Sequence, residues 1–308
     1  MRSETLRNAT LLGLLTSGVL VAGCATGARD DASPPTLVTG GALATPASLQ
    51  ETTTSIARVP SPVTDTTPVD ARTAKAAWKE GVALFDRGEF ASAAGQLTVA
   101  VRGEPESAYR RYLLGLALWK SGDRSGAEAS LVESVELDPT RLRPWINLAR
   151  VRNEQDDRTG ALTAAESALA LDPQSADALH QRGRALMELA RGDEALTTLT
   201  EARGKDAANG YIANTLGLLL IRLGKPGEAI EPLESAKALL PHVAYVRNNL
   251  GVAYERTGRM DEAKLEYLAA VDAGDAGGKA MKSLVRLGAT DTTQPLEETV
   301  ETASKTPQ

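Results

Sequence analysis

Few side chains in the sequence could perform catalysis or hold a metal ion. The chain has two histidines, His180 and His242, and one cysteine, Cys24. A zinc site needs three or four such ligands side by side, and these residues are widely separated along the chain. The GxSxG and HExxH motifs of serine hydrolases and zinc proteases do not occur in the sequence. We therefore predict no catalytic residue, no metal site, no cofactor and no enzyme activity.

The chemistry expected at Cys24 is the attachment of lipid. Two arginines precede an uncharged stretch, residues 8–23, whose apolar middle is short for a membrane-spanning helix. The stretch ends in Val21-Ala22-Gly23-Cys24, which resembles the bacterial lipobox, where a signal peptidase cuts before a lipidated cysteine. We predict a signal peptide over 1–23 and a lipid anchor at Cys24. An ordinary secretory signal and an uncleaved membrane anchor are the alternatives.

The segment after Cys24 is predicted to be a disordered tether, 24–73. It contains no aromatic residue and is rich in Thr, Ala, Pro and Ser, so it cannot bury enough apolar surface to offset the entropy lost on ordering. The polar, mildly acidic residues 289–308 are predicted to be a disordered tail. Ala25 follows the cysteine, whereas an aspartate there retains enteric lipoproteins in the inner membrane. We therefore expect a lipid-anchored protein of the bacterial cell envelope, at the outer membrane and facing the periplasm.

Between these segments, three series of small residues recur with a period of 34. Series that stay in phase over six periods indicate an array of repeated units. The series are Gly81, Gly115, Ala149, Gly183, Gly217 and Gly251; Pro105, Pro139, Pro173, Ala207 and Pro241; and Ala93, Ala127, Ala161, Ala195, Ala229 and Ala263.

Within each unit the apolar residues follow helical spacing on two successive segments. Leu216 and Leu220 share one face, and Ile230 and Leu233 share the next. A polar turn that contains glycine separates the segments, because glycine accepts positive φ and so ends a helix. Turns of this kind are predicted at Gly88-Glu89, Gly122-Asp123, Gly192-Asp193, Gly224-Lys225 and Gly258-Arg259.

The pattern resembles the tetratricopeptide repeat, as in Leu216-Gly217, Leu220, Gly224, Ala229, Leu233, Ala236 and Pro241. The resemblance implies an all-α fold: a right-handed α-solenoid of six helix-turn-helix repeats, with a capping helix over 278–288. The repeats are 74–107, 108–141, 142–175, 176–209, 210–243 and 244–277. Four residues depart from the family pattern, and we expect local loosening at them: Ala149, Arg152, Ala207 and Asp275.

The family pattern also implies a concave groove, lined by the second, fifth, sixth, ninth, twelfth and thirteenth residues of each repeat. Four aromatic residues fall on packing places instead: Phe90, Trp145, Tyr254 and Tyr267. The predicted partner-binding residues form an aromatic entry, a basic centre and an exit rich in amides and tyrosines: Trp78, Phe85, Tyr109, Tyr112, Leu116 and Trp119; Arg143, Asn147, Arg150, His180 and Arg184; Tyr211, Asn214, Tyr245, Asn248 and Asn249.

Alternatives stay open for parts of this groove. Trp78 and Phe85 could pack against the tether or cap the open first repeat, and the arginines could be solvated surface residues. The lysine and asparagine set with which some family members clamp a terminal carboxylate is not met in any three consecutive repeats.

The resemblance implies a non-catalytic scaffold that binds a protein or an extended peptide, with membrane attachment through Cys24. The net charge is −6 and the basic residues are scattered, which argues against a nucleic-acid partner. The architecture is similar to that of lipoproteins that assemble type IV pili, tight-adherence pili or secretion channels. An adaptor for cell-wall enzymes and a passive spacer are further hypotheses, and self-association is possible.

Overall fold

The computed structural model describes residues 63, 65, 67–275 and 278–288, and all regular secondary structure in this part is helical. The predicted signal peptide, Cys24, most of the predicted tether and the predicted tail lie outside the described residues. The first helices of the six repeats are α1 (Ala71–Asp86), α3 (Ala108–Ser121), α5 (Leu142–Glu154), α7 (Ala176–Glu188), α9 (Gly210–Arg222) and α11 (Ala244–Arg256). The second helices are α2 (Phe90–Gly103), α4 (Arg124–Leu137), α6 (Arg158–Leu171), α8 (Gly192–Lys205), α10 (Pro226–Leu239) and α12 (Met260–Asp272), and a last helix follows as α13 (Lys279–Arg286).

Consecutive helices pack as antiparallel pairs, and each pair packs on the next, which confirms the predicted all-α solenoid of helix-turn-helix repeats. The last helix lies within the predicted cap and buries Ala280 and Leu284 completely. In the described part of the chain, no helix is long and apolar enough to span a membrane.

The first helix begins earlier than the repeat pattern predicts. Asp70 Oδ1 accepts hydrogen bonds from the backbone N–H groups of Arg72 and Thr73, both at 3.0 Å. Such a cap satisfies donors that the first turn of a helix leaves without partners. The helix therefore begins at Ala71, inside the predicted tether and before the expected repeat start at residue 74.

The turn of the fourth repeat also differs from the prediction. There the left-handed residue is Ala190, with φ of 58°, and Gly192 is the first residue of α8. A Cβ on Gly192 would lie 2.7 Å from Cδ2 of Leu223 in the next repeat. Close packing, and not the turn, therefore explains this glycine. The other predicted turn glycines do have positive φ: Gly88, Gly122, Gly224 and Gly258.

In five repeats, a large side chain of the second helix sits over a glycine of the first. A Cβ on Gly217 would lie 2.4 Å from Cγ of Leu233, so any larger residue would push the two helices apart. This is the close approach that the glycine series predicts. The same relationship holds in four other repeats: Gly81 with Leu97, Gly115 with Leu131, Gly183 with Leu199, and Gly251 with Tyr267.

Ala149 and Arg152 are both buried in the third repeat, so the local loosening expected at these two residues is not seen. The glycine and the large residue are replaced there by Ala149 and Ala165, which are both completely buried. Arg152 is only 2% exposed, and its Nε donates to Oε1 of Glu128 at 2.8 Å. A smaller partner and a buried ion pair therefore compensate for the two departures.

The aromatic residues predicted to pack the repeats together are inside the molecule. Trp145 and Tyr267 are completely buried, and Tyr254 is 5% exposed. Phe90 is half-buried, with its ring 5.3 Å from the ring of Phe85. Trp145, Tyr254 and Tyr267 therefore belong to the core, as the repeat pattern predicts, whereas Phe90 packs at its edge against Phe85.

Candidate functional site

Successive first helices contact one another from α3 to α11 and form one side of the array, which we call the first-helix wall. Hydrogen bonds between residues 35 positions apart link neighbouring helices across it. Each joins the fifth residue of one repeat to the sixth residue of the next. The pairs are Tyr112 with Asn147 at 3.3 Å, His180 with Thr215 at 2.8 Å, and Asn214 with Asn249 at 2.9 Å.

A second set of such bonds lies near the other end of the first helices. Trp119 Nε1 donates to Oε2 of Glu154 at 2.9 Å, and Arg256 Nη1 donates to the carbonyl of Ile221 at 3.1 Å. Both join the twelfth residue of one repeat to the thirteenth of the next. Together with the contacts between first helices, the two sets hold α3 to α11 in one wall.

Three tyrosines on this wall are half exposed although they are aromatic. The exposed fraction is 48% for Tyr109, 51% for Tyr211 and 48% for Tyr245. Arg143 is exposed as well. Nine of the predicted site residues are half-buried: Trp78 and Phe85 on α1, and Tyr112, Leu116, Trp119, Asn147, Arg150, Arg184 and Asn249 on the wall.

Three predicted groove residues are buried instead. His180 is 8% exposed, Asn214 7% and Asn248 9%. The expectation that their side chains are open to a partner is therefore corrected, since neighbouring first helices close over them. His180 and Asn214 hold adjacent helices together, whereas Oδ1 of Asn248 has no hydrogen-bond partner among the described residues.

The aromatic entry is a connected set of rings. The ring centre of Tyr109 lies 5.7 Å from that of Trp78 and 6.3 Å from that of Tyr112. The guanidinium of Arg110 lies 5.4 Å from the Trp78 ring, a cation–π contact. Val63, from the segment before α1, packs in the same cluster as Trp78 and Phe85. This packing supports the alternative in which Trp78 and Phe85 pack against the predicted tether.

The basic centre contains two half-buried guanidiniums. The guanidinium of Arg150 lies 5.3 Å from the ring centre of Trp119, and Nη1 of Arg184 donates to Oε1 of Gln181 at 3.3 Å. Burial lowers the pKa of Arg184. Burial, together with the charges of Arg184 and Arg150, lowers the pKa of His180 to about 3, so its imidazole is neutral.

Sequence reasoning did not find the partners of these side chains. Thr215 shares a hydrogen bond with His180. Gln181 accepts one from Arg184, and Glu154 accepts one from Trp119. Thr215 and Glu154 follow their partners by 35 residues, so a search at this spacing could have found them. In the described part of the chain, no three His, Cys, Asp or Glu side chains are grouped to hold a metal ion.

Two tetratricopeptide repeat models match the chain, one over residues 79–141 and 214–278 and the other over residues 152–219. Together they cover more than half of it. A comparison with curated proteins gives no match.

Similar solved structures include TTC0263, a thermophilic tetratricopeptide repeat protein of Thermus thermophilus. It is 20% identical, covers 60% of this chain and 100% of its own, and has a TM-score of 0.52. MamA (residues 41 to the end) of Desulfovibrio magneticus RS-1 is also 20% identical, covers 56% and 97% of the two chains, and has a TM-score of 0.50. At this identity the two structures show a shared fold. With the two family models and the observed helix pairs, they lead to one assignment: the chain belongs to the tetratricopeptide repeat family.

Proposed function

We propose that the chain is a non-catalytic scaffold that holds an extended segment of a protein partner along the first-helix wall. Tetratricopeptide repeats are protein-interaction modules, and the described part of this chain contains six such helix pairs. The supporting observation is the half-exposed row of Tyr109, Tyr211 and Tyr245 on one wall. Tyrosine and arginine are enriched among residues that dominate binding energy, and this wall presents both.

We further propose that the scaffold is attached through lipid on Cys24 to a membrane of the bacterial cell envelope. The support is the sequence Val21-Ala22-Gly23-Cys24 after an uncharged apolar stretch. Each buried CH₂ group of an acyl chain contributes about 0.8 kcal/mol, so two or three chains hold a protein at a bilayer. A flexible segment from residue 24 to the packed residue Val63 would have an end-to-end distance of roughly 35 Å, which limits how far from the membrane the wall can act.

The binding proposal can be tested by quantitative recovery of partners from cells that express the tagged full-length chain. Replacing Tyr211 and Tyr245 with alanine should weaken capture strongly, since loss of two hot-spot residues costs about 2 kcal/mol or more. Leu265→Ala is the matched control, because Leu265 is 55% exposed but lies on the second helix α12. Equal recovery of partner proteins by the double variant and the control would contradict the proposal.

Attachment is tested separately by cell fractionation of a Cys24→Ser variant. We expect the native chain in the membrane fraction, released only by detergent, and the variant in the soluble fraction. Membrane recovery that is the same for both would contradict a lipid anchor. The recovered partners then identify the process served, since pilus or secretion-channel subunits and cell-wall enzymes are distinct outcomes.

A further inference from the structure

Arg150 and Arg184 occupy the same place, the ninth residue, in two adjacent repeats. Both are half-buried on the first-helix wall, on α5 and α7. Among the described residues, neither guanidinium has a carboxylate within ion-pair distance. Arg150 rests against the ring of Trp119 at 5.3 Å, and Arg184 has one long hydrogen bond, of 3.3 Å, to Gln181.

The carboxylates nearest to this pair are already engaged elsewhere. Oε2 of Glu154 accepts a hydrogen bond from Trp119 at 2.9 Å and lies 3.6 Å from Nε of Arg124. Oε1 of Glu188 accepts from Nη1 of Arg222 at 2.7 Å. The acidic residues of the wall therefore leave the arginine pair without a counter-ion in contact.

The surroundings of Arg184 also withdraw water from its charge. Burial is the largest cause of its lowered pKa, and the charges of Glu154 and Glu188 act in the opposite direction without cancelling it. The charges of both guanidiniums help to lower the pKa of His180, whose neutral imidazole is not a counter-ion for them. A half-desolvated guanidinium with free donors gains most from a carboxylate, which can accept two parallel hydrogen bonds from it.

Apolar residues flank the pair at the same place of the neighbouring repeats. The ninth residues of the six repeats, in order, are Val82, Leu116, Arg150, Arg184, Leu218 and Val252, and all six are half-buried. Along the array, the ninth residue is apolar in the first two repeats, basic in the next two and apolar again in the last two. A complementary ligand is therefore acidic at its centre and apolar on either side.

We propose that the Arg150–Arg184 pair binds two acidic side chains within an extended, internal segment of the protein partner, with apolar side chains of that segment on Leu116 and Leu218. The inference rests on the proposed scaffold function and specifies the partner's chemistry. Packed helices lie about 8–10 Å apart and an extended chain advances about 3.3 Å per residue, so one repeat corresponds to about three residues. The two acidic residues are therefore about three positions apart.

A random peptide library, displayed with both ends of the random region joined to carrier sequence, tests this on the immobilised full-length chain. Native protein should enrich pairs of Asp or Glu about three residues apart with apolar residues outside them. R150Q/R184Q should lose the acidic preference, and R150K/R184K should recover it in part, because lysine keeps the charge but not the planar fork. R158Q/R191Q is the charge-matched control, since both arginines are exposed, lie outside the first helices and pair with Asp156 and Glu194.

The most enriched peptide, made with blocked ends, is then titrated by fluorescence anisotropy beside a copy with Gln at both acidic positions. We expect about tenfold weaker binding or more for the Gln copy and for R150Q/R184Q, and an affinity that falls with added salt. Far-UV circular dichroism confirms that each variant is folded. Enrichment of peptides without acidic residues, or an acidic preference unchanged in R150Q/R184Q, would overturn the inference.

The two proposals fail in different ways. If Tyr211 and Tyr245 are needed for partner recovery but no acidic preference is found, the scaffold function stands and this inference falls. If no peptide is enriched and the tyrosine variants also recover partners normally, both fall together.

Discussion

His180 and Thr215 are joined across the interface of α7 and α9 by a hydrogen bond of 2.8 Å between Nε2 and Oγ1. The Thr215 hydroxyl also donates to the carbonyl of Tyr211 at 2.8 Å, so it must accept from His180. The imidazole therefore carries its proton on Nε2 and is neutral. His180 is thus a structural residue that fixes the spacing of two first helices behind the exposed wall.

This arrangement makes the stability of the array depend on pH. The pKa of His180 is about 3 in the folded chain, chiefly because of burial, and 6.5 is the ordinary value. The unfolded state therefore binds more protons between these values, and stability is lost as the pH falls below 6.5. From pH 7 to pH 5 we expect the free energy of unfolding to fall by about 2 kcal/mol, measured by urea denaturation.

The control for this prediction is provided by the repeats themselves. His180→Asn introduces the residue that the next two repeats carry at the same place, Asn214 and Asn248. That variant should show a much flatter dependence between pH 7 and pH 5, whereas His242→Asn should keep the native slope. An unchanged slope in His180→Asn would show that another group is responsible.

The buried pair of Arg152 and Glu128 should be costly to break but easy to replace. Its Nε to Oε1 distance is 2.8 Å, and Nη2 of Arg152 has no hydrogen-bond partner among the described residues. Glu128→Leu alone leaves the buried guanidinium only the more distant carboxylate of Asp157, at 3.6 Å, and should lower the free energy of unfolding by about 3 kcal/mol. Chemical denaturation of the full-length chain measures this change.

The double variant R152L/E128L should recover that loss. The same two places hold leucine in the following repeats, Leu162 with Leu186 and Leu196 with Leu220, which pack in one apolar cluster. Replacing a buried ion pair with apolar residues is often neutral or stabilising. If the double variant is less stable than Glu128→Leu alone, the prediction is contradicted, and the ion pair contributes more to the interface than two packed leucines would.

A substitution in the turn of the fourth repeat should raise the stability of the chain. Ala190 is exposed and has φ of 58°, a conformation that costs about 1–2 kcal/mol for a residue with a Cβ. Ala190→Gly should therefore raise the free energy of unfolding by about 0.5–1 kcal/mol, after allowing for the greater freedom of glycine in the unfolded chain. Gly192→Ala should change it less, because Gly192 already lies in the helix and only the end of the Leu223 side chain would have to move. Thermal unfolding of both variants checks the assignment, and the opposite order would contradict it.

The repeat pattern predicts much of this fold because it reports backbone constraints. The glycine at Gly217 is required wherever Leu233 or its equivalent sits over the first helix, and this geometry repeats with the period. The pattern fails where two positions change together, since a single series cannot show that Ala165 compensates for Ala149. It also misplaced the turn near Gly192, because a glycine required for packing and one required for positive φ look alike in a sequence.

The wall itself is only partly predictable. The family pattern identifies Tyr109, Tyr211 and Tyr245 correctly as exposed first-helix residues. It cannot show that His180 is covered, because burial there depends on the hydrogen bond to Thr215 of the neighbouring repeat. The exposure of a side chain in a solenoid depends on its contacts with the neighbouring repeats, whereas a repeat pattern describes one repeat at a time.

The most direct test of the binding wall is photo-crosslinking in living cells, with a photoreactive phenylalanine analogue at Tyr211 or at Leu265. Both positions are about half exposed, but Tyr211 lies on the first helix α9 and Leu265 on the second helix α12. We predict a crosslinked partner protein from position 211 and none from position 265. Crosslinks from 265 alone, or none from 211 while the partner still co-purifies, would contradict binding on the first-helix wall.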